Sequence, residues 1–353
     1  MRARGILALV AGLCLTGAAC YLVYADQRTH IEDSFQRDTE KVARDTEMRL
    51  QTYFDMLLSV KGMYALDDRI DRVRFHRFIA ELRLERRYPG FQALQFVRAV
   101  PAAELDAFAT AVRADTGLEP AGYPNFRVHP VTHAPVHYVI EYTEPLKGNE
   151  NAFGLDLAAL PQHLRSVEVG RDTGEIIATE PILLVQDVSG EPGFVTRAPV
   201  YRLGAPVGTA AQRGEALVGF VAIVFRVNAL MREVIDGALL EHLHVRIEDG
   251  GFVSGAMAPR TNGDNLLYDS AGKAAAADGA GAGAGDTAPA MLVSEKVLEV
   301  GQRRWLLRFE GRPGSRYGDG SGWWLVCAIG VAGAIISALT AALLEARRRP
   351  LQE

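Results

Sequence analysis

Three histidines, His129, His133 and His137, recur at even spacing, and neutral imidazole is a common ligand for zinc. Pro130 and Pro135 exclude a regular helix between them. On an extended chain, four residues advance about 13 Å, too far for one ion unless a tight turn forms at His133-Ala134-Pro135. A zinc site or a pH sensor therefore competes with three ordinary, partly exposed histidines, and the spacing favours the latter. Asp172-Thr173-Gly174 spells the aspartic-protease triplet. That chemistry needs two carboxylates sharing a proton, and no second Asp-Thr/Ser-Gly occurs, so the triplet reads as a turn. Asn149, Glu150, Asn151 and Asp156 crowd around Phe153-Gly154. Such side chains bond to nearby backbone in turns; the alternative is that they contact a ligand.

Other chemistries lack their residues. The sequence has no GxxxxGK[ST], no GxSxG and no HExxH, and its GAGAG run at 281–285 lies in low complexity instead of between a strand and a helix. Its three cysteines, Cys14, Cys20 and Cys327, all fall in apolar terminal runs, leaving the middle without a disulfide or a thiolate. With a net charge of -5 and no long basic run in the soluble part, no footprint for nucleic acid is present. No catalytic residue, metal or cofactor is expected, and the chain reads as a non-enzyme.

The elements that would position any site begin at the ends. Residues 5–24 carry no charge, and about 20 residues at 1.5 Å each match the hydrocarbon core of a bilayer. Arg2 and Arg4 precede this run, which places the N-terminus in the cytoplasm. A cleaved export signal is the competing reading, but the run is long for one and a helix continues out of it. At the other end Trp323 and Trp324 open an apolar span to Leu344, closed by Arg347, Arg348 and Arg349. An interfacial aromatic pair and a basic stop cluster mark a second crossing towards the cytoplasm. Residues 26–321 are then expected outside the membrane, periplasmic or extracellular, with a short cytoplasmic tail and no output domain in this chain.

Residues 26–66 predict one long helix, since Ile31, Phe35, Val42, Leu50, Phe54, Leu57 and Met63 or Tyr64 keep a three/four spacing. A stripe leaving the membrane in this way suits a parallel homodimer. A shorter amphipathic helix is predicted over 72–87. Strands are predicted at 91–100, 136–142, 175–179, 194–201, 216–227, 243–247, 292–300 and 304–310, with helices at 101–116, 161–170 and 227–240. Residues 271–290 are mostly Ala and Gly with almost nothing apolar larger than alanine, too poor in apolar surface to offset ordering, and read as a spacer. Strands mixed with short helices, without a βαβ series, give an α+β class.

Five segments then meet a known pattern: YPGFQALQFVRAV at 88–100, PVHYVIEYTEPLKGNENAFGLDL at 135–157, RDTGEIIATEPILL at 171–184, GFVTRAPVY at 193–201 and GFVAIVFRVNALM at 219–231. In this order they resemble the CHASE domain family, the extracytoplasmic sensory domains of histidine kinases and nucleotide cyclases that include plant cytokinin receptors. The resemblance implies a long N-terminal helix followed by two PAS-like subdomains, the distal one holding a small-ligand pocket, and dimerisation through the N-terminal helices. It implies ligand-contact positions at Leu184 and Thr196. It also puts His163 where cytokinin receptors carry an aspartate that grips the adenine ring, so a different small molecule is expected here.

The chain is accordingly expected to divide into a first span (1–25), a membrane-proximal helical region (26–87), a sensor core with the distal pocket (88–240), a proximal subdomain with the Ala/Gly insert (241–321) and a second span with its basic tail (322–353). The expected function is small-ligand sensing by a lipid-embedded dimer, relayed to a cytoplasmic kinase or cyclase output. A structural envelope protein of the same fold, or an extracytoplasmic enzyme, are the rival readings.

Overall fold

A computed structural model describes residues 3–67, 69–88, 90–184, 191–255, 265–272, 292–317 and 323–346. Most of the Ala/Gly insert, Arg2 and the Arg347–349 cluster lie outside the described residues.

The chain opens as a single helix, α1 (Ala3–Tyr64), of 62 residues, about 93 Å long at 1.5 Å per residue. No Gly or Pro occurs between Gly17 and Gly62, so nothing in this stretch breaks the backbone ladder. Phe35, Thr39, Val42, Thr46, Leu50, Tyr53, Leu57, Val60 and Tyr64 are all buried and step by three or four residues along one face. Tyr53, not Phe54, enters the core, and Phe54 packs only at its edge. Thr39 and Thr46 fit the stripe because their hydroxyls bond back to the carbonyls of Gln36 (3.0 Å) and Val42 (2.7 Å).

The predicted second helix is broken in two. α2 (Arg72–Leu82) starts on the Asp71 side chain, which accepts from the Arg74 backbone N–H at 2.8 Å. It stops where Arg83 takes φ 50°, and α3 (Leu84–Arg87) is a separate turn.

Among the described residues, ten strands form two antiparallel sheets. The membrane-distal sheet contains β1 (Phe91–Pro101), β2 (Val136–Glu144), β3 (Ile177–Ala178), β4 (Ile182–Leu183), β5 (Pro192–Tyr201) and β6 (Leu217–Arg226), in the order β2-β1-β6-β5-β3, with β4 also on β5. Between its strands lie α4 (Leu105–Arg113), α5 (Pro161–Thr173) and α6 (Ala210–Ala216). Leu94, Phe96, Phe194, Val221 and Phe225 face α1, while Val97, Val195, Phe220 and Val224 face α5. Covered on both faces, these strands read as near-continuous apolar runs instead of alternating ones.

After α7 (Val227–Val234) and α8 (Gly237–Leu240), the proximal sheet runs β8-β7-β10-β9, from β7 (Leu243–Phe252), β8 (Leu266–Asp269), β9 (Val293–Val300) and β10 (Arg303–Gly311). Here burial alternates: Leu243, Val245, Ile247, Trp305, Leu307 and Phe309 point inward, and His244, Arg246, Glu248, Arg308 and Glu310 lie between them. One covered face and one wet face give this clean period of two. The α+β expectation and the two mixed subdomains hold.

Both sheets rest on the same rod. Tyr64 stacks on Phe96 (4.7 Å between ring centroids) and Tyr53 packs on Phe225 (4.5 Å) in the distal half. Nearer the apolar end, Arg316 pairs with Asp38 at 2.8 Å, the Tyr317 hydroxyl donates to the same carboxylate, and Phe35 meets Tyr317 edge-on at 5.5 Å. The sheets also touch directly, because Ala178 N–H donates to Gly301 O at 2.8 Å. Gly301 has φ 52°, and a Cβ there would lie 2.7 Å from Ala178 N, so this close approach requires glycine.

Two helices, the first part of α1 and the C-terminal helix Trp323–Ala346, are long and apolar enough to cross a membrane. They flank the domain and pack together through small residues. A Cβ on Gly12 would lie 2.4 Å from Ser337 Oγ, and one on Gly333 would lie 2.3 Å from Thr16 Oγ1. Both hydroxyls are satisfied within their own helix, by Gly12 O and Gly333 O. Removal of side chains here lets two backbones approach where lipid supplies no hydrophobic drive.

On the wet face of the proximal sheet, hydrogen bonding to Asp269 (2.7 Å) and to Glu310 pushes His244 up to about 9. Arg246 and Arg308 face the same carboxylates. A pKa raised on folding stabilises fully below the ordinary imidazole value of 6.5 and is lost as pH rises through about 9. Melting temperature should therefore fall between pH 6.5 and 9, and His244→Gln should flatten that slope.

Candidate ligand site

α5 begins at Pro161, whose fixed φ suits the first helical position, and ends at Gly174 with φ 81°. Asp172-Thr173-Gly174 is thus a helix end with its left-handed cap. Arg171 binds the Asp172 carboxylate at 2.6 Å, and no second carboxylate is shared. One face of α5 presents His163, Ser166, Val167 and Gly170. Gly170 is needed because a Cβ would press on Ile177 at 3.2 Å.

Between this face and the distal sheet lies a cavity of ≈ 20 Å³, lined by Gln95, Ile140, Leu155, His163, Ile182, Leu183, Leu184, Val195, Arg197 and Val224, among others. Leu184 reaches it by lying over Gly193, where a Cβ would sit 2.6 Å from Leu184 Cγ. His163 and Leu184, both expected at the pocket, line it. Thr196 does not. Side chains alternate along β5, so Val195 and Arg197 face the cavity while Thr196, like Phe194 and Ala198, faces α1. Thr196 is fully buried there, and its hydroxyl has no partner among the described residues. The position that does face the cavity is one residue on, at Arg197.

Arg197 is 1% exposed. Its Nη1 donates to Ser166 Oγ at 2.9 Å and its Nη2 to His163 Nδ1 at 2.7 Å. Its Nε–H is buried without a partner, and no carboxylate pairs with it among the described residues. Burial lowers the guanidinium to about 9, so it stays charged at neutral pH. Burial, with the adjacent Arg197 charge, lowers His163 to about 3 and keeps the ring neutral. Because Nδ1 accepts, the proton of His163 sits on Nε2. A buried cation without its counter-charge costs several kcal/mol, and the sequence flags it: an arginine interrupts an apolar strand, FVTRAPV.

A wider groove of ≈ 530 Å³ lies below α2 and α3, lined by Ile79, Ala80, Arg83, Leu84, Phe91, Glu144 and Pro145. Its carboxylate, Glu144, is already paired with His76 at 3.0 Å. Convergent polar groups with unmet bonding mark the smaller cavity as the better candidate.

The remaining candidates are structural. His137 is buried with Nδ1 2.7 Å from Asp156 Oδ2, whose other oxygen accepts from Tyr138 N and Ala158 N, both at 3.0 Å. His129 contacts Phe153 O at 3.3 Å and His133 is exposed. The three histidines are not assembled, and no metal-binding group occurs among the described residues. Asn149 accepts from Gln92 Nε2 at 3.0 Å and donates to Pro145 O at 2.9 Å. Gly154, with φ 88°, has no room for a Cβ, which would lie 2.2 Å from Arg127 O.

The sequence profile of the CHASE domain matches residues 68–268. The chain belongs to the CHASE domain family. CHASE domains are non-catalytic extracytoplasmic sensors, and this one sits between two apolar helices of membrane-spanning length. No curated protein matches the sequence. Among solved structures, similarity is found to the ligand-binding domain of the Pseudomonas aeruginosa amino-acid chemoreceptor PctC in complex with GABA. That match has 14% identity, covers 78% of this chain and 96% of that one, and gives a TM-score of 0.40. The periplasmic sensory domain of the Campylobacter jejuni chemoreceptor Tlp1 is similar at 10% identity, with 84% and 99% covered and a TM-score of 0.45.

Asp156 ties β2 to the loop before α5 from a fully buried position. Asp156→Ala would leave two backbone N–H groups and His137 unpartnered, and it should lower unfolding free energy by about 3 kcal/mol in chemical denaturation.

Proposed function

We propose that this chain is the sensing part of a transmembrane receptor, with a small ligand bound between α5 and the outer face of the distal sheet. The observation that carries this reading is the buried Arg197, held by Ser166 and His163, which lines with His163 and Gln95 an otherwise aliphatic cavity in a sensory-family domain. A structural envelope protein has no use for a buried cation that pairs with no carboxylate among the described residues, which only weakens its core.

Three contacts support a route for the relay. Ligand entry displaces the segment from β3 to Leu184, whose residue Ala178 is bonded to Gly301 in the β9–β10 turn. β10 leads to Tyr317 and Arg316, both held on Asp38 of α1, directly before the C-terminal helix. A ligand shifts such a system only by binding its two arrangements unequally. Dimerisation along the free face of α1, where Met48 and Leu58 are exposed, turns that shift into a change of spacing between copies. A cytoplasmic kinase or cyclase reads it.

Full-length protein in lipid nanodiscs, screened against a metabolite library, should show a melting shift of roughly 5 °C or more with a cognate ligand at saturation. Absence of any shift in folded protein rejects the sensor. With spin labels on Cys14, which is exposed in the first span, the same ligand should change the distance between copies. Asp38→Ala should abolish that change while leaving the melting shift in place.

A further inference from the structure

Arg197 offers a buried positive charge, a free Nε–H and no acidic partner among the described residues. His163, with Nδ1 engaged by Arg197 Nη2 at 2.7 Å, is left with an Nε2–H donor on a ring that lines the same cavity. Two donors, one of them on a cation, call for an anionic acceptor. The rest of the lining selects among anions. One positive charge balances one negative charge, so a phosphate dianion would bury an excess. The walls Ile140, Leu155, Ile182, Leu184 and Val224 are aliphatic, which suits a hydrocarbon tail and penalises a hydrated inorganic ion. The ≈ 20 Å³ of the cavity admits little more than a water, so even a short tail requires its wall to yield, and Leu183, a lining residue that is 71% exposed, belongs to the strand that does.

Resting on the sensor reading above, we propose that the ligand is a short-chain monocarboxylate, its carboxylate held by Arg197 Nε–H and His163 Nε2–H. The unpaired guanidinium is then an incomplete ion pair that the ligand completes. Arg197, lowered by burial only to about 9, remains a cation at neutral pH, while burial and the adjacent Arg197 charge hold His163 a neutral donor.

The test uses the full chain in nanodiscs at fixed ionic strength, probed by calorimetry and thermal melting with acetate, propionate and butyrate. Propionamide, propylamine and nitrate are the controls. The carboxylates should bind and raise the melting temperature, and the controls should not. Arg197→Met, which removes the charge at similar volume, should weaken carboxylate binding by roughly 30-fold or more, the loss of one charge-assisted hydrogen bond. It should also melt no lower than the parent, because an unpaired buried charge is gone. His163→Phe, which keeps the ring but removes the Nε2–H, should weaken binding more modestly and serves if Arg197→Met does not fold. If the amide or amine binds, or if Arg197→Met binds carboxylates as tightly as the parent, the carboxylate assignment falls while sensing stands. If neither these probes nor a wider metabolite library shifts the melting temperature, the sensor reading falls with it.

Discussion

Burial of one continuous stripe of α1 organises everything else in this protein. Phe35 through Tyr64 give a core-facing side chain at every third or fourth position, and the two sheets lie on successive lengths of that stripe. Each large side chain so buried contributes about 1.5–3 kcal/mol, and the distal and proximal halves also meet directly through Phe194 and Trp305, whose rings lie edge to face 4.9 Å apart. Both sheets therefore keep a fixed relation to the rod, and through it to the apolar helix that the rod becomes. The hydrogen bond from Ala178 to Gly301 adds a further, smaller connection.

That arrangement explains why the cavity sits against α5. The face of the distal sheet towards α1 is filled by aromatic rings, including Phe96, Phe194 and Phe225, which leave no room for a guest. The face towards α5 is built from smaller side chains such as Ala93, Val195, Ala222 and Val224. It also receives the polar side chains of His163 and Ser166. Conformational change in a packed protein favours the layer that is less tightly interlocked, and here that layer is the thin helix cover and the short strands beside it.

Much of this was legible in the residues, for stated reasons. The spans and the rod announce themselves because apolar periodicity is long and unbroken there. The strands buried on both faces were found as apolar runs, and for that very reason their facing could not be read. A run without alternation does not say which residue points to which side; the family resemblance put Thr196 at the ligand, and nothing in the run shows that Arg197, one residue on, faces the cavity instead. Thr39 and Thr46 were hidden in the stripe because their hydroxyls look polar on paper and are satisfied by their own helix. α6 was missed although Thr209 and Gln212 form a capping box, a signal that was present in the sequence. The four-residue β8 was too short to stand out. His137 and Asp156, nineteen positions apart in the chain, meet only because β2 and the following loop fold together, which no local pattern reveals.

The small residues of the two spans carry a practical consequence. Gly12 accommodates Ser337 and Gly333 accommodates Thr16, so each helix supplies both a notch and the tooth for the other's notch. Such a pair is a matched set. A chimaera that grafts this sensor onto a foreign anchor by exchanging one crossing alone would set a bulky side chain against a tooth and force the crossings apart. Modular transplantation of the domain must take head and tail together.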